Sequence, residues 1–244
     1  MLIDTHCHID QFANPREIVE ECEKYALRVV AVTSLPSSFV IAADRLKGHR
    51  YVSAALGLHP LMAAKAIREL SAFRRIVPHV DYVGEIGLDH SRAGSDTKAV
   101  QDRVFDEALS SLGDRRRFIT LHSRGAEKEV LARLESQRIR AAVFHWFTGS
   151  AGDLDKVVEA GHFVSVNVAM LQSSKGIMLV RRVPRDAILV ETDGPFCKFG
   201  SRPSKPTDLQ AIYERLMAQM DCSMGELEDL LSANFAKAAG RVQL

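Results

Sequence analysis

The chain has 244 residues, 46% of them hydrophobic and 26% charged, with a formal net charge of +1. That length suits one large domain or two small ones, and the apolar fraction is enough for a sizeable core. The near-balance of charge excludes a global basic field of the kind that drives non-specific nucleic-acid binding, so a polyanion must be held by local charge or by metal.

The first residues, MLIDTHCHID, lack the basic start and long apolar run of a signal peptide, so the fold is expected to begin here. No window approaches about 18 uninterrupted apolar residues, so no membrane span is expected. Cys7, Cys22, Cys197 and Cys222 form no CxxC pair and read as reduced thiols of a cytoplasmic protein.

In chain order, a short apolar strand at Leu2–Thr5 leads into PREIVEECEKYAL, where Pro15 opens a helix with Ile18, Val19, Cys22, Tyr25 and Ala26 on one side. Strands follow at Arg28–Thr33 and Tyr51–Leu56, then a helix at Leu61–Ile76. The alternation continues with strand Tyr82–Gly84, helix Thr97–Leu112, strand Phe118–Leu121, helix Gly125–Ser136, strand Ala141–Phe144 and helix Asp153–Ala160. Strands at Phe163–Val166 and Ala187–Val190 complete the set. A Gly-, Ser- and Pro-containing loop spans Lys198–Pro206, and helices at Thr207–Met220 and Met224–Ala239 end the chain. This pattern predicts an α/β fold, a closed (β/α)8 TIM-type barrel with room for some distortion, with residues 1–244 as a single domain. An open doubly wound sheet is the alternative.

Six strands end in chemically capable residues: DTHCH (His6, His8), GLHP (His59), GEIGLD (Glu85, Asp89), TLHSR (His122, Arg124), VFHWF (His145) and LVETDGP (Glu191, Asp193). In a β/α barrel all strand C-termini open on one face, so five of the nine histidines converge there with several carboxylates. Residues i and i+2 of a strand share a direction, which turns Asp4, His6 and His8 inward and Cys7 outward as a small buried thiol. The imidazole and carboxylate mixture suits Zn²⁺, Mn²⁺ or a similar divalent ion. The set is large enough for two ions about 3.5–4 Å apart if one carboxylate bridges. Lys198, Arg202 and Lys205 follow the last strand end, and Lys175 follows the strand before it. They either hold a nucleic-acid backbone or form a solvated polar loop. Arg124 either contacts phosphate or ties down a loop. Asp89 is either a partner of a ligand or a helix cap, and Asp10 has no clear claim on a metal. His49, His79 and His162 read as surface residues, and DRRRF at 114–118 as a solvated basic face.

DTHCHID, GLHP, GEIGLD, LHSR, HWFTG and ETDGP, in that order, resemble the motifs of TatD-type metal-dependent nucleases of the amidohydrolase superfamily, and NFAKAAG at 234–240 resembles that family's last helix. VSVNVAMLQSSKG (164–176), RVPRDAILVETDGPF (182–196) and HWFTGS further resemble the QatD nucleases of Qat anti-phage systems. The resemblance implies one ion on His6, His8 and Asp193, a bridging Glu85, and a second ion on His122 and His145, the metals being Mg²⁺, Mn²⁺ or Zn²⁺. It sets His59 beside the substrate phosphate, and by their position at the same face Arg124, Lys198 and Arg202 are the candidate further substrate contacts. Asp193 and Glu85 are then the catalytic carboxylates, with Asp193 taking the proton of the attacking water. The implied activity is 3′→5′ cleavage of DNA within a defence complex. A hydrolase of an amide or ester bond, or a complex subunit whose main role is assembly, are the alternatives.

Overall fold

The structure is a computed structural model that describes residues 1–240, so the last four residues of the expected 1–244 domain lie outside the described residues. Eight parallel strands alternate with helices: β1 (Ile3–Cys7), α1 (Pro15–Lys24), β2 (Arg28–Val32), α2 (Pro36–Arg45), β3 (Val52–Leu58), α3 (Ala63–Ile76), β4 (Tyr82–Gly87), α4 (Lys98–Leu112), β5 (Phe118–His122), α5 (Glu127–Ser136), β6 (Val143–His145), α6 (Ala151–Glu159), β7 (Phe163–Val166), α7 (Ser174–Arg182) and β8 (Ile188–Val190). Helices α8 (Leu209–Met220) and α9 (Met224–Ala238) follow. Neighbouring strands pair in sequence order from β1 to β8. The seam between first and last strand is stitched by Asp193 N–H to His6 O (2.9 Å), His8 N–H to Gly194 O (2.8 Å) and Thr5 Oγ1–H to Val190 O (2.9 Å). This is the expected barrel.

The helices start where capping chemistry starts them. The Asn14 side chain accepts from Glu17 N–H ahead of Pro15, and Ser223 and Glu226 form a reciprocal capping box on α9. Strands contribute to two apolar layers. One lies between the sheet and the helices and holds Cys7, Cys22 and Val29. The other takes Ile3, Val30, Ala55, Tyr82, Phe118, Val143, Phe163 and Leu189, one from each strand, and so fills the barrel interior. Phe235 of α9 caps this layer, its ring centroid 5.2 Å from that of Phe118. The N-terminal end of the barrel is therefore plugged by hydrocarbon, which leaves the C-terminal end for polar chemistry.

Two helices, α2 and α7, lie where the sequence reading set none. Within Lys198–Pro206, a short antiparallel pair joins Lys198–Phe199 to Arg202–Pro203 where a plain loop was expected. Among the described residues no helix is long and apolar enough to cross a membrane.

Candidate metal centre

His6 and His8 leave the end of β1, His59 follows β3, and Glu85 lies within β4. His122 and His145 end β5 and β6, and Asp193 follows β8. These side chains meet around one carboxylate. Glu85 Oε1 lies 2.5 Å from His122 Nδ1 and 3.0 Å from His145 Nε2. Glu85 Oε2 lies 3.1 Å from His59 Nε2, 3.2 Å from His8 Nε2 and 3.5 Å from His6 Nε2. Asp193 Oδ1 stands 3.6 Å from His8 Nε2 and 3.8 Å from His6 Nε2. Backbone fit helps set the hub. A Cβ on Gly84 would fall 2.3 Å from Thr120 Cγ2, so only glycine lets β4 come this close to β5.

Among the described residues, three sets of donor atoms lie within 4.8 Å of one another: His6, His8 and Asp193; His6, Glu85 and His145; His59, Glu85 and His122. The residues fit divalent cations. Glu85, Asp193 and the neighbouring Glu191 are buried, and among the described residues every ion-pair contact of Glu85 and Asp193 is to a histidine. Glu85 Oε2 is buried without a hydrogen-bond partner among the described residues. Buried carboxylates with no lysine or arginine beside them call for positive charge from elsewhere.

Electrostatics follow from the crowding. Burial opposes ionisation of Glu85, but His59, His145 and His122 outweigh it and hold its carboxyl well below the usual range. Burial raises Asp193 to about 7, against the pull of His145 and His8. Burial also lowers His6 and His59, whereas Glu85 and Glu191 overcome it and lift His145 well above its ordinary value.

Outer partners orient the rings. His6 Nδ1 meets Thr120 Oγ1 at 2.8 Å, His122 Nε2 meets Asp89 Oδ2 at 2.7 Å, and His145 Nδ1 faces Glu191 Oε1 at 3.4 Å. The acceptors beside His6 and His122 favour a proton on the outer nitrogen, so that a cation would find the inner nitrogen free, whereas Glu191 stands beside His145 Nδ1 without a formed hydrogen bond. Glu191 is itself held by the Ser165 hydroxyl, by Asn167 Nδ2 (3.0 Å) and by Trp146 N–H (3.0 Å). The sequence reading gave no role to Thr120, Glu191, Ser165 or Asn167. The available signal was the i, i+2 spacing of Thr120 to His122 and of Glu191 to Asp193. Asp4, turned inward beside His6 and His8, acts on the backbone. It accepts His6 N–H at 3.2 Å, Thr192 N–H at 2.9 Å and the Thr192 hydroxyl at 2.5 Å.

Around the mouth, Arg124 is exposed on the loop after β5, where its carbonyl accepts His90 N–H at 2.9 Å. Lys198 is exposed. Arg202, expected on substrate, instead forks onto Asp208, with Nη1 to Oδ2 at 2.8 Å and Nη2 to Oδ1 at 2.5 Å. Lys205 Nζ is 2.8 Å from both carboxylate oxygens of Glu21, and Lys175 Nζ donates to Thr148 O at 2.6 Å. His49 and His79 are exposed as expected. His162 is not: it is 1% exposed, and its Nδ1 accepts Ala142 N–H at 3.3 Å. Arg117 also departs from the expected solvated face, being buried with its guanidinium on the Leu112 carbonyl. Asp10 borders a cavity of about 710 Å³ between α1 and α2, lined by Val19, Ile41 and Leu46 among others, and not the cluster around Glu85.

Comparison with known proteins matches the TatD-related DNase family over residues 3–240. The chain is 26% identical, over 96% of its length and 97% of the relative's, to an uncharacterized metal-dependent hydrolase, YabD, of Bacillus subtilis (strain 168). It is 30% identical, over 64% of its length and 62% of the relative's, to the 3′-5′ ssDNA/RNA exonuclease TatD of Musicola paradisiaca (strain Ech703). Its fold is similar to the crystal structure of the TatD homologue YJJV from Escherichia coli K12, with TM-score 0.88 and 24% identity over 97% of each chain. A match from the first strand to the last helix means that the chain belongs to the TatD-related DNase family.

Proposed function

We propose that this protein is a phosphodiesterase that uses two divalent ions, Mg²⁺, Mn²⁺ or Zn²⁺, to degrade DNA from its 3′ end, with residues 1–244 acting as one domain. The observation that carries this is the buried Glu85 carboxylate ringed by five histidines, with Asp193 beside two of them. His6, His8 and Asp193 would hold one ion and His122 and His145 the other, with Glu85 available to both. The chemistry two such ions supply is activation of water near neutral pH and neutralisation of charge on phosphate oxygens.

The chain's own residues do the rest. Asp193 accepts the proton of the attacking water, and His59 donates from Nε2 to a non-bridging phosphate oxygen. Arg124 and Lys198, both exposed at the mouth, hold the neighbouring backbone phosphates. Arg202, engaged on Asp208, supports that loop. These cations favour a phosphodiester over a neutral amide as the bond cleaved. The name of the Musicola relative supports the 3′→5′ polarity. The resemblance of residues 164–176 and 182–196 to QatD nucleases supports a role in cytoplasmic anti-phage defence, with other proteins of a defence complex as partners.

The test is incubation with end-labelled single- and double-stranded DNA and RNA, with and without EDTA, followed by each metal in turn. Cleavage that stops on chelation and returns with metal is expected. Cleavage that survives chelation overturns the reading.

A further inference from the structure

Phe196 is the most exposed large apolar side chain among the described residues, at 59%. Its position is fixed. It stands between partly buried Pro195 and buried Cys197, in a turn closed by Cys197 N–H to Asp193 O at 2.9 Å. A second bond, Ser204 N–H to Cys197 O at 2.8 Å, ties that turn to the following loop. The fold therefore holds a phenyl ring outward in water instead of letting it collapse onto the core. The ring also touches the candidate site. Its centroid lies 4.9 Å from that of His8, with the planes at 83°. Phe196 presents its remaining surface at the rim of the opening in which Glu85 and the histidines lie.

The geometry points to Phe196 as the platform on which the nucleobase next to the scissile phosphate stacks, a role that rests on the phosphodiesterase reading above. A nucleobase is one sugar away from its phosphate, so a phosphate drawn to the His8 side of the cluster carries a base within reach of this ring. Base–aromatic stacking is tolerant of sequence, because every base offers a π face. Exposed Lys198, two residues further on, adds positive charge for the same strand. The apolar face that water meets in the free protein is then covered only when a base is present.

The experiment uses the full chain with Mn²⁺ and two ligands: a short single-stranded thymidine oligonucleotide as substrate, and the same backbone with every base replaced by an abasic residue as competitor. Phe196→Ala should raise KM for the thymidine oligonucleotide about tenfold or more. The inhibition constant of the abasic backbone should stay within about twofold of wild type, since that ligand has nothing to stack. Phe196→Tyr should restore the wild-type KM. An unchanged KM in Phe196→Ala overturns the platform, and so does a parallel rise of KM and the abasic inhibition constant, which would make Phe196 a support for His8. Failure of the phosphodiesterase reading looks different: the wild-type protein then cleaves no oligonucleotide with any metal.

Discussion

The backbone N–H of Leu61 donates to Nδ1 of His59 at 3.1 Å, and this bond decides what the other side of the ring can do. With Nδ1 accepting, a neutral His59 carries its proton on Nε2, the atom 3.1 Å from Glu85 Oε2. His6 and His122 have the opposite arrangement, with an acceptor on the outer nitrogen, and Glu191 stands 3.4 Å from that of His145. His59 is thus a donor among ligands, although its atoms fall in one of the three possible metal groupings. His59→Ala should keep the wild-type metal stoichiometry in calorimetric titration while kcat/KM on DNA falls about 100-fold, the scale of losing one donor to transition-state charge. Loss of a bound metal equivalent would make His59 a ligand.

The outer partners predict graded defects. Thr120→Val removes the acceptor of the His6 ring, and Glu191→Gln weakens that of His145. Each should lower metal affinity about 10- to 100-fold while the far-ultraviolet spectrum stays unchanged. Wild-type affinity in both would show that the rings are held by packing alone.

Asp193 sits at φ +46°, in the left-handed region that asparagine and aspartate tolerate better than other side chains. Asp193→Asn therefore preserves the backbone but removes the carboxylate that accepts a proton. The expected outcome is an unchanged melting temperature with kcat down about 10²- to 10⁴-fold. Near-normal turnover would point to another base.

Lys198 and Arg202 separate a substrate contact from a loop support. Among the described residues, the Lys198 ammonium makes no ion pair, so Lys198→Ala should raise KM for DNA and reduce the salt slope by about one. Arg202→Ala loses the fork onto Asp208, at a cost of no more than about 1 kcal/mol for a partly exposed pair, with little change in KM. The reverse pattern would reassign the two residues.

His162 gives a pH signature remote from the candidate centre. Burial, helped by Arg140, lowers its pKa to about 4. The unfolded chain protonates this group near its ordinary value of about 6.5, so the folded state loses stability as pH falls from there towards 4. His162→Gln should shed that loss. The stability advantage of wild type over the variant in urea should shrink by about 2 kcal/mol between pH 7.5 and pH 5. Equal pH dependence would mean that the ring reaches water on protonation.

Legibility in the sequence followed the physics of each segment. Strands were read as ending early, at Thr5, Leu56 and Gly84, where the structure continues to Cys7, Leu58 and Gly87. The continuing residues include His6 and Glu85, polar groups that end the apolar run yet stay on the strand and point into the polar end of the barrel. Helix α2 was missed because Phe39, Val40 and Ile41 run together, with Val40 and Ile41 more than half exposed, so no apolar stripe recurs at helical spacing. Helix α7 is only nine residues long and contains Gly176. Six motifs brought the histidines to one face, since a parallel barrel aligns its strand ends. Thr120 and Glu191 carried only the i, i+2 spacing to His122 and Asp193, and Ser165 and Asn167 carried no signal until the neighbouring strand is known. His162 was misread because an imidazole with one backbone partner can be buried neutral as easily as solvated.

The seam between β1 and β8 has a consequence for when the protein can act. His6 and His8 leave the ribosome long before Asp193, yet they meet it only when Asp193 N–H bonds to His6 O and His8 N–H to Gly194 O. A nascent or truncated chain therefore carries two imidazoles and no closing carboxylate. Completion of the circle is therefore the event that assembles the proposed centre.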